Sequence, residues 1–250
     1  LVAADPGQRP AFYALRPGGW RDLLTLLHPP YTLWHLSYVA IGAAAAPHVY
    51  PVRLAAALAA FFLAVGVGAH CLDELHERPL GTRLSERALL GLAIAGLGGA
   101  LAIGIVGIFV VSATLAPLVL AGGFLVLAYN LELFDGRFHT DFWFAAAWGA
   151  FPALTGWWSN ALGLHSSAEA IAAIAAVLGC FWLSAAQRRL STPVRELRRR
   201  TEAVSGELRL ADGSTRRLDR DVLIAPLDGA LRALSVGVPL LAVAAITLRV

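Results

Sequence analysis

The sequence has no methionine, no lysine and only two cysteines, and Asp, Glu, Lys and Arg together make up just 15% of its 250 residues. Each shortage excludes something. With 58% hydrophobic residues and a mean hydropathy of +0.65, so little charge excludes a soluble domain of this length. Two cysteines, Cys71 and Cys180, both in apolar helical sequence, exclude a disulfide framework and read as free packing thiols. No zinc-ligand spacing occurs either. Leu1 to Gly19 lacks the basic-then-apolar order of a signal peptide, and no lipidation or retention signal is expected. The missing methionine accompanies a bias to alanine, leucine and arginine and excludes nothing.

What the sequence does contain is a succession of apolar helical stretches. They predict an all-α, polytopic transmembrane bundle of about seven spans. Residues 1–30 form a polar lead-in broken by Pro and Gly, in which Trp20 to Leu27 reads as an interfacial amphipathic turn or two. Residues 31–186 hold the first six spans, at about 31–49, 51–71, 87–109, 114–131, 142–158 and 168–186. From 187 to 232 runs a segment with eleven arginines. Within it Ser191-Thr192-Pro193 is expected to open a short helix, and the alternation around Asp212-Gly213 predicts a small β-hairpin over 207–218. Residues 233–250 carry the last span. With the N-terminus and the polar loops on the cytoplasmic side, only Arg53 and Arg249 fall on the far side, so the positive-inside rule selects that orientation in the cell membrane. An anionic-lipid or phosphate-facing role suits the arginine-rich loop better than nucleic acid, given the spans around it.

Two polar clusters end up on that same side. The first follows the second span: His70, Asp73, Glu74 and Glu77 fall at i, i+3, i+4 and i+7 of a helix, one face of potential metal ligands, with His76, Arg78 and Arg83 beside them. Carboxylates suit Mg²⁺, and imidazole suits iron or zinc. A cation held by carboxylates and flanked by arginines suits a diphosphate. The bland alternative is a charged helix end at the membrane boundary. The second cluster, after the fourth span, brings Tyr129, Asn130, Glu132, Asp135, Arg137, His139 and Asp141. There Asp135-Gly136 is equally an ordinary turn, and Asp141 a helix-start residue. Arg188 and Arg189 are the arginines of the last loop best placed to reach a diphosphate. His35 is a candidate ligand or an interhelical hydrogen-bonding residue. Trp143, Trp148, Phe151, Trp157 and Trp158 can line a hydrocarbon pocket or simply pack.

The order Ala69-His70-Cys71-Leu72-Asp73-Glu74-Leu75-His76-Glu77, then Arg78-Pro79-Leu80, resembles the Asp-rich motif and R-P-L element that follow the second helix of the UbiA superfamily of intramembrane prenyltransferases. Asp73 matches its central aspartate, and Glu77 stands for its last. Tyr129 with Trp148-Gly149-Ala150-Phe151-Pro152 is similar to that family's tyrosine and G-x-x-P element, and Pro30 to Trp34 with Ile41-Gly42-Ala43 to its first helix. The family's lysine-arginine pair is Leu133-Phe134 here, and its later D-x-x-x-D motif has no counterpart beyond Asp219 and Asp221. The resemblance implies a membrane enzyme that ionises an isoprenyl diphosphate with Mg²⁺, for prenyl transfer or terpene cyclisation. It assigns Asp73, Glu77 and Tyr129 to catalysis. Arg78, Arg83, Asn130, Arg137 and Arg188 would bind substrate, and His70, Glu74, His139 and Asp141 would assist the metal. Two other readings stay open. One is an iron or zinc oxidoreductase or hydrolase using His70, Asp73, Glu74, His76, Glu132 and His139. The other is a non-enzymatic lipid-binding scaffold.

Overall fold

The structure is a computed structural model and describes residues 9–249. Among these the chain forms eight helices and one two-stranded sheet. The helices are α1 (Trp20–Leu26), α2 (Pro29–Ala44), α3 (Pro51–Leu75), α4 (Glu86–Val110), α5 (Ala113–Asn130), α6 (141–161), α7 (Ser167–Arg199) and α8 (Arg220–Thr247). Helices α3, α4, α5, α7 and α8 are long and apolar enough to cross a membrane. Their outward faces carry large apolar side chains such as Ile94, Phe109, Leu120, Ile171 and Leu241. That is the surface a hydrocarbon solvent requires, because helices satisfy their own backbone polar groups in lipid. The chain is a multi-pass helical membrane protein.

The starts of the helices obey local chemistry. Pro29 and Pro51 each sit at the first helical position, where no N–H is needed. Ser85, Thr140, Ser166 and Asp219 cap α4, α6, α7 and α8 through their side-chain oxygens. Helix α2 lies at the centre, packed against α6, α7 and α8. Trp34 and Tyr38 of α2, Ala153 of α6, Cys180 and Val194 of α7, and Ile224, Leu231 and Val238 of α8 make the main core. Helix α3 packs instead on α4, around Cys71, Leu89 and Ala93. Cys71 and Cys180 are both buried free thiols.

Two helix ends differ from the sequence expectation. Helix α7 does not stop near 186, and no separate helix starts at Ser191; it runs through Pro193 to Arg199. Likewise α8 starts at Arg220 and passes through Pro226. A proline inside a helix forfeits one backbone hydrogen bond. Packing outweighs that loss here, because Leu190, Val194 and Leu197 of α7 close on Ile224, Leu227 and Leu231 of α8. The buried residues of α8, Ile224, Asp228, Leu231, Ser235, Val238 and Ala242, repeat at alternating steps of four and three. That is the seam of a packed helix pair. Asp228, polar within this seam, pairs with Arg198 of α7 at 2.5 Å. Between the two helices stands the hairpin, β1 (Gly206–Arg209) against β2 (Thr215–Leu218), antiparallel with Glu207 opposite Arg217.

Two helices contain a π segment: Phe62–Ala69 in α3 and Ala146–Ala150 in α6. Such segments are rare and shift the phase of everything that follows them. Both enter one cluster, Val65 and Ala69 from the first, Ala147 and Trp148 from the second, with Val126 and Tyr129 of α5.

Candidate functional site

The acidic cluster lies at the end of α3, and its side chains part company. His70, Asp73 and Glu77 line a cavity of about 290 Å³ together with Tyr129, Asn130, His139 and Arg188. Glu74 turns the other way. Fully buried, it accepts hydrogen bonds from Leu80 N at 2.9 Å, Thr82 N at 2.8 Å and Thr82 Oγ1 at 2.9 Å. Its lone pairs are committed to folding the loop after α3, which corrects the expectation that it helps hold a metal. Asp22 of α1 does the same from outside, accepting from Gly18 N and Arg83 N. Glu74→Ala leaves three donors unsatisfied in a buried place, at about 1–3 kcal/mol each. A loss of roughly 3 kcal/mol or more is expected, read as a lowered apparent Tm, with Glu74→Gln losing less.

Arg78, Arg83 and Arg137, expected to bind substrate, do not line the cavity. Arg78 sits in a left-handed conformation and donates through Nη1 to Thr82 O and Leu84 O, bracing the same loop. Arg83 and Arg137 are exposed on turns. Asp141, proposed for the metal, lies outside the cavity, 72% exposed, and pairs with Arg188 Nε at 2.9 Å.

In their place come arginines from the end of α7. Arg195 and Arg199 line the cavity beside Arg188 and Arg200. Arg200 approaches Glu77 at 3.7 Å. Neither Arg195 nor Arg199 has an ion-pair partner among the described residues. Arg199 Nε donates to Pro10 O, and Arg195 to Thr192 Oγ1. Pro10 to Tyr13 also line the cavity. Two guanidinium groups with spare donors in a largely buried cavity attract an anion, and their fork geometry suits phosphate oxygens. The signal for them in the sequence is the step pattern Arg188, Ser191, Arg195, Arg199, one helical face once the helix is carried through Pro193.

The rest of the cavity is largely aromatic, with Glu132 and Asp228 as its further carboxylates. Tyr129 stacks on His139 with ring centroids 4.4 Å apart and meets Trp148 edge-on at 5.5 Å. Its hydroxyl is buried with no partner among the described residues. His28 and His70 stack at 4.0 Å. Burial, helped by the neighbouring His70, holds the His28 imidazole well below the usual histidine range, so at neutral pH it is uncharged. Burial likewise pushes the Tyr13 phenol up, which keeps it a neutral donor. His35 Nε2 donates to Gln187 Oε1 at 3.0 Å, the interhelical alternative for that residue.

A second, apolar cavity of about 510 Å³ lies deeper in the bundle, between α3, α4, α5 and α6. Val65 and Trp148, one from each π segment, line both cavities. Trp148 and Phe151 therefore face the space expected of them, whereas Trp143, Trp157 and Trp158 do not.

The donors present bear on which metal suits the site. Among the described residues no three His, Cys, Asp or Glu side chains come together as a metal-binding group. Mg²⁺ needs no such cage, being commonly held by one or two carboxylates with substrate phosphate oxygens and water. Asp73 and Glu77 suit that requirement. Iron or zinc draws on three or four protein ligands.

No family model, curated protein or solved structure matches the chain.

Proposed function

We propose that this protein is a UbiA-like membrane enzyme of about seven spans that binds an isoprenyl diphosphate and ionises it, with α2 and α6 crossing the bilayer beside the five longer helices. One observation carries the reading: a polar cavity with free arginines and carboxylates shares the side chains of Val65 and Trp148 with a predominantly apolar one. An amphiphile with an anionic head and a hydrocarbon tail matches that pair of chambers. Arg195 and Arg199, with Arg188 behind them, hold the head. Asp73 and Glu77 would hold Mg²⁺, which supplies charge neutralisation for the leaving diphosphate. Tyr129 and Trp148 offer ring faces and few water sites at the threshold, where an allylic cation would form. Arg53 and the Arg249 bond to Ala44 O lie at the far end of the bundle, which supports an arginine-rich, site-bearing face on the cytoplasmic side.

The test is pyrophosphate release by the purified protein in lipid nanodiscs, with prenyl diphosphates of increasing chain length. Release is expected to need Mg²⁺ and to fall by about 10²-fold or more in the Arg195→Gln, Arg199→Gln double variant, the scale of losing groups aimed at developing charge. Release that ignores both arginines would remove them from the site. No release at any chain length, with candidate acceptors present, would overturn the reading.

A further inference from the structure

Ionisation alone makes no product: whether the allylic cation is caught by an electron-rich acceptor or by its own double bonds, a proton must leave afterwards. We infer that the Nε2 atom of His70 takes that proton, an assignment that rests on the reading above. The geometry supplies the reason. His70 Nδ1 lies 3.2 Å from Gly66 O. A carbonyl oxygen only accepts, so the ring hydrogen of the neutral imidazole is on Nδ1 and the lone pair is on Nε2. The backbone N–H of His70 bonds Val67 O.

Nε2 has no hydrogen-bond partner among the described residues, yet it is not among the atoms sealed away from a probe. The residue is 8% exposed and lines the polar cavity together with Ala69 and Val65. The stack on His28, rings 19° from parallel, holds the imidazole plane. Two other histidines of the cavity are less suited. His35 has committed Nε2 to Gln187, and its Nδ1 is fully enclosed. His139 is at the rim, with Nδ1 3.7 Å from Glu132 Oε1.

The step balances without a further reagent. The C–O bond to diphosphate breaks and its electron pair leaves with the diphosphate. A pair from the acceptor, or from a double bond of the chain itself, forms the new bond. The adjacent C–H or O–H bond then breaks, its pair staying on the product, and the proton goes to Nε2 to give an imidazolium beside the departing anion.

His70→Asn keeps a donor for Gly66 O and removes the base. In single-turnover reactions in nanodiscs, the proton-loss product is expected to fall by about 10²-fold, the usual contribution of a positioned base. The cation is then captured by water as the prenyl alcohol, while pyrophosphate release slows far less. A structural role alone would lower both together and leave the product ratio unmoved. On the wild type, ¹⁵N-histidine NMR should report His70 as the Nδ1–H tautomer whether or not the variant folds. An unchanged product ratio, or a protonated Nε2 in the neutral ring, overturns the inference, and the departing diphosphate is then the proton acceptor. Absence of pyrophosphate release from the wild type overturns the enzymatic reading itself, and this assignment with it.

Discussion

Asp73→Asn is expected to lower Mg²⁺-dependent pyrophosphate release by about 10²- to 10³-fold, the size of effect seen when a group aimed at developing charge is removed, while leaving the bundle folded. Both halves follow from the placement of this carboxylate. It lines the polar cavity beside Glu77 and faces arginines, but it makes no ion pair among the described residues. Nothing in the fold therefore depends on its charge, in contrast to Glu74 one position on, whose oxygens hold three donors of the following loop. Asparagine preserves shape and removes the negative charge that a hard cation requires. The comparison needs the release assay and an apparent Tm on the same nanodisc preparation. Loss of activity at unchanged Tm is the expected pair, and full activity in the variant would detach Asp73 from the chemistry.

The second large effect concerns assembly. Gly156 of α6 faces the carbonyl of Val39 on α2, and Gly42 of α2 faces the carbonyl of Ala153 on α6; a Cβ at either position would overlap that main-chain atom. The two helices thus touch backbone to backbone along their whole crossing, the close approach that small residues permit where water supplies no driving force. A carbonyl cannot rotate aside as a side chain can. Overpacking usually costs about 1–3 kcal/mol, so Gly156→Ala should sit at or above the top of that range. It is expected to lower the apparent Tm by roughly 6–12 °C. Gly156→Val is expected to yield no monodisperse protein. Gly237→Ala is the control, since nothing lies within 4 Å of its added Cβ and alanine is the better helix former. Equal tolerance at 156 and 237 would show that α2 and α6 pack differently from this description.

How far the sequence alone could be read depends on what each residue needs from its surroundings. Five of the seven expected spans stand as helices long and apolar enough to cross a membrane, legible because hydropathy is a local property, and the hairpin was legible because Asp212-Gly213 carries its own turn preference, with Gly213 in the left-handed region. The ends of α7 and α8 were not legible. Ser191-Thr192-Pro193 read as the start of a separate helix and the last span as beginning near 233, and only the packing of one helix on the other reveals that α7 and α8 run unbroken through Pro193 and Pro226. The same continuation brings Arg195 and Arg199 to the cavity, so the side chains proposed to bind the anion were hidden by the error in helix length. In the first cluster, helical spacing grouped Glu74 with Asp73 and Glu77. Spacing says which residues are neighbours on a helix, but not where a cavity begins. The loop from His76 to Ser85 wraps one flank and claims Glu74, leaving the other flank to the site.

The π segment in α3 has a consequence for how this chain can vary. Each residue added to or removed from an α-helix turns everything beyond it by about 100°. Phe62–Ala69 lies just before His70, Asp73 and Glu77, so a single-codon deletion there would preserve the length and oiliness of the span while swinging all three away from the arginines of α7. The candidate site is therefore kept in phase by one short stretch of irregular helix. Two chains with indistinguishable hydropathy profiles can differ in whether they possess it at all.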